Sequence, residues 1–179
     1  MALEEYVEPE GLEVVTLNNT NSSRGALMYA PSQSEKWVWS SGKNNQTFSS
    51  SDRNCQWVFY PAGSANAYYL YNLGAGKFAI PTTGGNYNGY SWVFSDDAVA
   101  VTMSTQSDGT KKIFTTSGNI YVSVSNGYTG PIINYNDVGA QFTMAVVGEA
   151  DDAIRQQVET AVGRLIHNTT PLSAVPGDE

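Results

Sequence analysis

Short apolar and aromatic runs broken by Gly/Asn turns, their recurrence in three comparable sets, and one helical stripe near the end predict the fold class. The chain reads as all-β, a β-trefoil with pseudo-threefold repeats followed by a C-terminal helix; a β-sandwich is the alternative. The organisation expected is an acidic leader over 1–12, a trefoil domain over 13–148, a helix over 149–168 and a linker-like tail over 169–179.

The strand candidates begin with Val14-Val15-Thr16-Leu17, Ala26-Leu27-Met28-Tyr29, Lys36-Trp37-Val38-Trp39 and Gln56-Trp57-Val58-Phe59-Tyr60. They continue with Tyr68-Tyr69-Leu70-Tyr71, Lys77-Phe78-Ala79-Ile80, Trp92-Val93-Phe94 and Val99-Ala100-Val101-Thr102-Met103. Lys112-Ile113-Phe114-Thr115, Ile120-Tyr121-Val122-Ser123, Ile132-Ile133-Asn134-Tyr135 and Gln141-Phe142-Thr143-Met144 complete them. β-Branched and aromatic residues fit a pleated, half-buried surface, and Asn72 to Gly76, Ser107-Asp108-Gly109 and Ser117-Gly118-Asn119 supply turn chemistry. After Gly148 the pattern changes: Ile154, Val158, Ala161, Val162, Leu165 and Ile166 follow a helical stripe, with Asp151 and Asp152 at its start and Arg164 and His167 at its end.

The runs stack in threes. Leu27 to Tyr29, Tyr69 to Tyr71 and Ile113 to Thr115 open the units; Lys36 to Trp39, Lys77 to Ile80 and Asn119 to Val122 follow; Gln56 to Phe59, Ser91 to Phe94 and Gln141 to Met144 close them. Units of roughly 40 residues lie within the range of repeat architectures. One such unit cannot bury its own face, but three around an axis can. Trp57, Trp92 and Phe142 are expected to form one core layer, and Phe59, Phe94 and Met144 another. The stretch from Val99 to Gly109 then reads as an insertion.

Composition narrows function. With Lys+Arg 9 against Asp+Glu 17 the net charge is −8, so no basic footprint for nucleic acid exists and an anionic membrane surface is disfavoured. No apolar run approaches a membrane span, so no membrane insertion is expected. A single cysteine, Cys55, and a single histidine, His167, leave no Cys/His zinc cluster. No cofactor, no metal and no catalysis are expected. Asp96-Asp97 is an adjacent pair pointing to opposite sides of a strand, which suits a solvated turn better than a glycosidase pair. The N-terminus has no signal-peptide pattern, and the Pro171 to Glu179 ending looks like a linker; together they suggest a piece of a larger protein.

The stretch Ala67-Tyr68-Tyr69-Leu70-Tyr71-Asn72-Leu73-Gly74-Ala75-Gly76-Lys77-Phe78 resembles the tyrosine-rich signature of ricin-B-type β-trefoil modules, over about Glu13 to Gly148. The resemblance implies an accessory module of secreted glycan-degrading proteins of gut bacteria, placed outside the cell, in the periplasm or at the cell surface, beside adjoining domains. It departs from the family where sugar-binding members carry an aspartate after the second strand: those places are Ser40, Pro81 and Ser123 here. The closing Gln-x-Trp of the family survives only as Gln56-Trp57 and Gln141-Phe142.

The polar loops after the second run of each unit carry what chemistry remains. Tyr87, Asn88 and Tyr90 lie in the second, Asn126 and Tyr128 in the third, and Tyr135, Asn136 and Asp137 just beyond. Tyr offers a flat face with a polar tip, and Asn both donor and acceptor, which together suit a sugar's C–H face and hydroxyl rim. The same residues also serve ordinary turns. A non-catalytic carbohydrate-binding module with a glycan ligand is the expected function. The alternatives are a protein-interaction or inhibitor trefoil using a protruding loop at Val99 to Thr110, or an architectural spacer.

Overall fold

The computed structural model describes residues 11–83, 89–127 and 131–169, and for 166–169 the backbone alone. Ten strands form: β1 (Glu13–Asn19), β2 (Leu27–Ala30), β3 (Ser34–Ser40), β4 (Trp57–Pro61), β5 (Ala67–Asn72), β6 (Lys77–Thr83), β7 (Tyr90–Ser95), β8 (Val101–Thr105), β9 (Lys111–Thr115) and β10 (Phe142–Glu149). One helix, α1 (Asp152–Thr169), ends the described chain.

Six strands close a barrel. β4 pairs with β1, β1 with β10, β10 with β9, β9 with β8, β8 with β5, and β5 again with β4. Two of these contacts are single residue pairs, Val15↔Trp57 between β1 and β4 and Phe142↔Lys111 between β10 and β9. The remaining strands build a cap of three hairpins. β2 pairs with β3 and β6 with β7; the third hairpin is held by the bridge Ser123↔Ile133 and joined to β9 by Phe114↔Tyr121. The hairpins meet through Ile132 N–H to the Val38 carbonyl at 2.9 Å and Trp92 N–H to the Ile132 carbonyl at 3.0 Å. This is a β-trefoil.

Its core repeats threefold. Leu17, Leu70 and Ile113 come from the first strands, Leu27, Ala79 and Val122 from the second, Val38, Trp92 and Ile132 from the third, and Trp57, Val101 and Phe142 from the fourth; all twelve are buried in one cluster. Two expectations on register are corrected by the pairing. Trp92 belongs to a third strand, and Val101 takes the fourth-strand place that the sequence pattern gave it. Val99 to Gly109 is therefore no insertion: β8 runs from Val101 to Thr105, pairs with β9 over five residues and joins β5. The Leu27 to Tyr29 run likewise belongs to the second strand of unit 1, whose first strand is β1.

α1 begins at an Asp151 carboxylate that accepts from Ile154 N–H at 2.9 Å. Its stripe of Ile154, Val158, Ala161 and Val162 packs on Val14, Val58, Tyr60, Tyr71, Leu73 and Phe78, on the outside of the barrel at unit 2. Gln157 fastens it by donating to the Tyr71 hydroxyl and to the Leu73 carbonyl, each at 3.2 Å.

Candidate functional site

The pseudo-threefold axis relates three cross-strand pairs on the outer surface: Asn18↔Ala26, Tyr71↔Phe78 and Phe114↔Tyr121. Strand alternation sends these side chains outward, because their neighbours Leu17, Leu70 and Ile113 point into the core. Unit 1 has no ring at either position. Unit 2 has two, Tyr71 and Phe78, with centroids 5.2 Å apart, both fully buried beneath α1. In unit 3, Phe114 and Tyr121 sit 5.0 Å apart at 38°, and both remain half-buried.

The strand floors differ in the same sense. Under the helix, Val58 and Tyr60 stand opposite Tyr71 and Tyr69. At the equivalent places in unit 3, Thr102 and Ser104 stand opposite Phe114 and Lys112. Thr102 and Thr116 share a hydroxyl hydrogen bond at 3.0 Å. Lys112 Nζ donates to Asn136 Oδ1 at 2.8 Å, and Tyr121 N–H donates to Asn134 Oδ1 at 2.8 Å. The Tyr121 carbonyl accepts from Trp92 Nε1 at 2.7 Å, so a buried indole fixes the strand that carries the ring. The result is an aromatic pair rimmed by hydroxyls, amides and one ammonium on a rigid barrel wall.

Of the residues expected to bind, Tyr135 and Asn136 lie exposed beside this face, with Asn136 held by Lys112. Asn126 is exposed on the neighbouring loop, and Tyr90 is half-buried at the start of β7 opposite Thr83. Asp137 already has a structural task. Its carboxylate caps the turn Val138–Ala140 by accepting from Gly139 N–H at 2.9 Å, and it stands 4.0 Å from Arg24 Nη1. Tyr87, Asn88 and Tyr128 lie outside the described residues. Lys112, Phe114, Tyr121 and Asn134 were not singled out by sequence; only the register that pairs Phe114 with Tyr121 reveals them.

The third polar loop is anchored from unit 1. Lys43 is fully buried, and its Nζ donates to the Ser125 hydroxyl at 3.1 Å and to the Ser125 and Gly127 carbonyls. Burial, and then the positive charge of Arg24, bring the Lys43 pKa from 10.5 down to about 8. Arg24, also buried, donates from Nη1 to the Val124 carbonyl at 2.9 Å. Ser40 and Ser123 are both buried; Ser40, which the pairing places at the end of the third strand of unit 1 and not after the second, donates from Oγ to the Arg24 carbonyl. Asp96 is bound to Lys77 Nζ at 2.9 Å, and that bond holds its carboxyl below the usual range. Among the described residues no group of His, Cys, Asp and Glu is placed to hold a metal ion, and no helix is long and apolar enough to cross a membrane.

No protein-family model and no curated protein matches the chain. Solved structures do. It is similar to the Polyporus squamosus lectin bound to a human-type influenza-binding epitope (TM-score 0.55, 18% identity, 78% of this chain and 50% of that one), so it spans half of that lectin's length. It is similar to the Rhizoctonia solani agglutinin (TM-score 0.58, 18% identity, 82% of this chain and 100% of that one). The Haemophilus ducreyi cytolethal distending toxin is a third likeness (TM-score 0.54, 14% identity, 83% of this chain and 93% of that one). At such identities the likeness carries the fold, a β-trefoil, and leaves the ligand to the residues of this chain.

Proposed function

We propose that this protein is a non-catalytic carbohydrate-binding module and that unit 3 carries its glycan site. The observation behind the proposal is the contrast between equivalent faces: an apolar floor at Tyr71 and Phe78 takes a helix, whereas Phe114 and Tyr121 are ringed by Thr102, Ser104, Lys112, Asn134 and Asn136. Sugars present a C–H face for ring contact and hydroxyls for amides and hydroxyls, and the second floor has both kinds of partner. Tyr135 and Asn136, with Asn126 on the adjacent loop, extend the surface; Tyr87, Asn88, Tyr90 and Tyr128 are the further contacts anticipated from sequence. Asp137 serves by holding the loop in shape. A shallow site of this sort gains strength from tethering within a larger protein, which accords with an accessory module of a secreted or surface protein beside other domains.

A glycan array on the purified chain tests the reading. At least one glycan should be retained, and Tyr121→Ala with Asn136→Ala should remove that signal while the circular dichroism spectrum is unchanged. A parent chain that retains no glycan, or a double variant that retains them equally, would overturn the assignment. Fractionation of the producing cell tests the proposed location.

A further inference from the structure

The end of the barrel opposite the hairpin cap is hollow. Two residues past Trp57, Val101 and Phe142 come Phe59, Met103 and Met144, and these line a cavity of about 250 Å³ together with Val15 and Tyr68, with Glu13 at its rim. Phe59 and Tyr68 meet edge to face, centroids 5.7 Å apart and planes at 84°, which makes a corner of two ring surfaces. Met103 and Met144 add thioether surface and Leu12, Val15 and Pro61 aliphatic surface, soft and without hydrogen-bonding demand in their side chains.

We propose that this cavity binds a small quaternary ammonium, with choline as the probe of the class. The chemistry of the lining selects it. A trimethylammonium group spreads its charge over methyl groups and donates no conventional hydrogen bond, so it needs apolar contact and nearby negative charge in one place. Aromatic faces supply both, and Glu13, an exposed residue of the lining, contributes a full negative charge. Apart from the Glu13 carboxylate and the Tyr68 hydroxyl, the lining side chains (Leu12, Val15, Phe59, Pro61, Met103 and Met144) offer an ordinary ammonium no strong acceptor. A neutral hydrocarbon would gain nothing from Glu13. Lys111, the third-unit equivalent of Val15 and Tyr68, does not line the cavity; its Nζ donates to Thr105 Oγ1 at 2.7 Å. The net charge of −8 favours approach of a cation. The site is separate from the unit 3 face, and its occupancy does not depend on glycan binding.

Methionine methyl NMR reads it directly, because the chain has 4 methionines and two of them line the cavity. Choline chloride, titrated at constant ionic strength, should shift the Met103 and Met144 methyls saturably and leave Met28, in a separate cluster, in place. The carbon isostere 3,3-dimethylbutanol should bind about tenfold more weakly, because it lacks the charge that the rings and Glu13 attract. Glu13→Gln, at an exposed rim position, should weaken choline severalfold with the spectrum otherwise unchanged, and Phe59→Leu should abolish the response. The proposal is overturned if choline causes no saturable shift at Met103 and Met144, if the isostere binds equally well, or if Met28 shifts in parallel.

Discussion

Replacing Val101 with alanine distinguishes a barrel stave from an insertion. Val101 is fully buried in the central cluster and occupies the place in unit 2 that Trp57 and Phe142 hold in units 1 and 3. Its partners across the two ladders are Thr115 of β9 and Tyr68 of β5, so it is paired to both barrel neighbours of β8. Alanine removes two methyl groups; at about 0.8 kcal/mol each the transfer loss is about 1.6 kcal/mol. A closed barrel lined by bulky residues collapses poorly onto the gap, and the cavity left behind raises the cost toward about 2.5 kcal/mol. Val99, two residues earlier and 37% exposed, is the internal control: its alanine variant should stay within about 0.5 kcal/mol of the parent. Urea unfolding followed by tryptophan fluorescence measures both. With a slope of about 2 kcal/mol per molar urea, Val101→Ala should lower the midpoint by about 1 M and Val99→Ala by about a quarter of that or less. Equal midpoints for the two variants would show that Val101 is not part of the barrel.

Lys43→Met should cost about 1 to 3 kcal/mol at pH 7, since the Ser125 and Gly127 carbonyls lose their buried donor; thermal unfolding checks it. The lysine also sets a pH dependence. Its pKa is about 8 folded against 10.5 free, so between those values the unfolded chain holds the extra proton and the parent gains stability relative to Lys43→Met as pH rises; a flat difference from pH 7.5 to 10.5 would contradict this. Val158→Asp, in the fully buried centre of the α1 stripe, should release the helix from unit 2 and expose the Tyr71 amide region to rapid hydrogen exchange. Gly139→Ala should destabilise by about 2 kcal/mol or more, because its Cβ would press on the Val124 carbonyl and the Arg24 guanidinium; a denaturation midpoint equal to the parent's would refute the packing.

Much of the fold was legible. The strand runs, the threefold recurrence and the α1 stripe follow from local patterns of two and of 3.6 residues, which are written into the sequence wherever one face is buried. The register of unit 2 was not. Trp92-Val93-Phe94 imitates Trp57-Val58-Phe59 residue for residue, while the true fourth strand, Val101-Thr102-Met103-Ser104-Thr105, carries no ring at all. Equivalence in a trefoil is decided by which strands pair around the barrel, and residue type follows that only loosely. The aromatic pair of unit 3 was hidden for the same reason: Phe114 and Tyr121 flank a turn and become neighbours only once the bridge between them is known. Lys43 sits in a Ser-Gly-Lys-Asn-Asn stretch that looks like any solvated turn; its burial depends on carbonyls more than 80 residues further along the chain. Asp137 shows the converse. A carboxylate beside Tyr and Asn suggests a ligand contact, yet a residue that precedes a tight turn is equally suited to cap it, and here the cap is what forms.

Unit 3, and not the helix-covered unit 2, is proposed to present the glycan face. The most direct test is backbone amide NMR of the isotope-labelled chain during titration with the strongest oligosaccharide from the array. Saturable shifts should concentrate at Lys112 to Tyr121 and Asn134 to Asn136, with Tyr71, Phe78 and the α1 amides unmoved. Shifts centred on unit 2 or on α1, with the amides of Phe114 and Tyr121 unmoved at saturation, would contradict it.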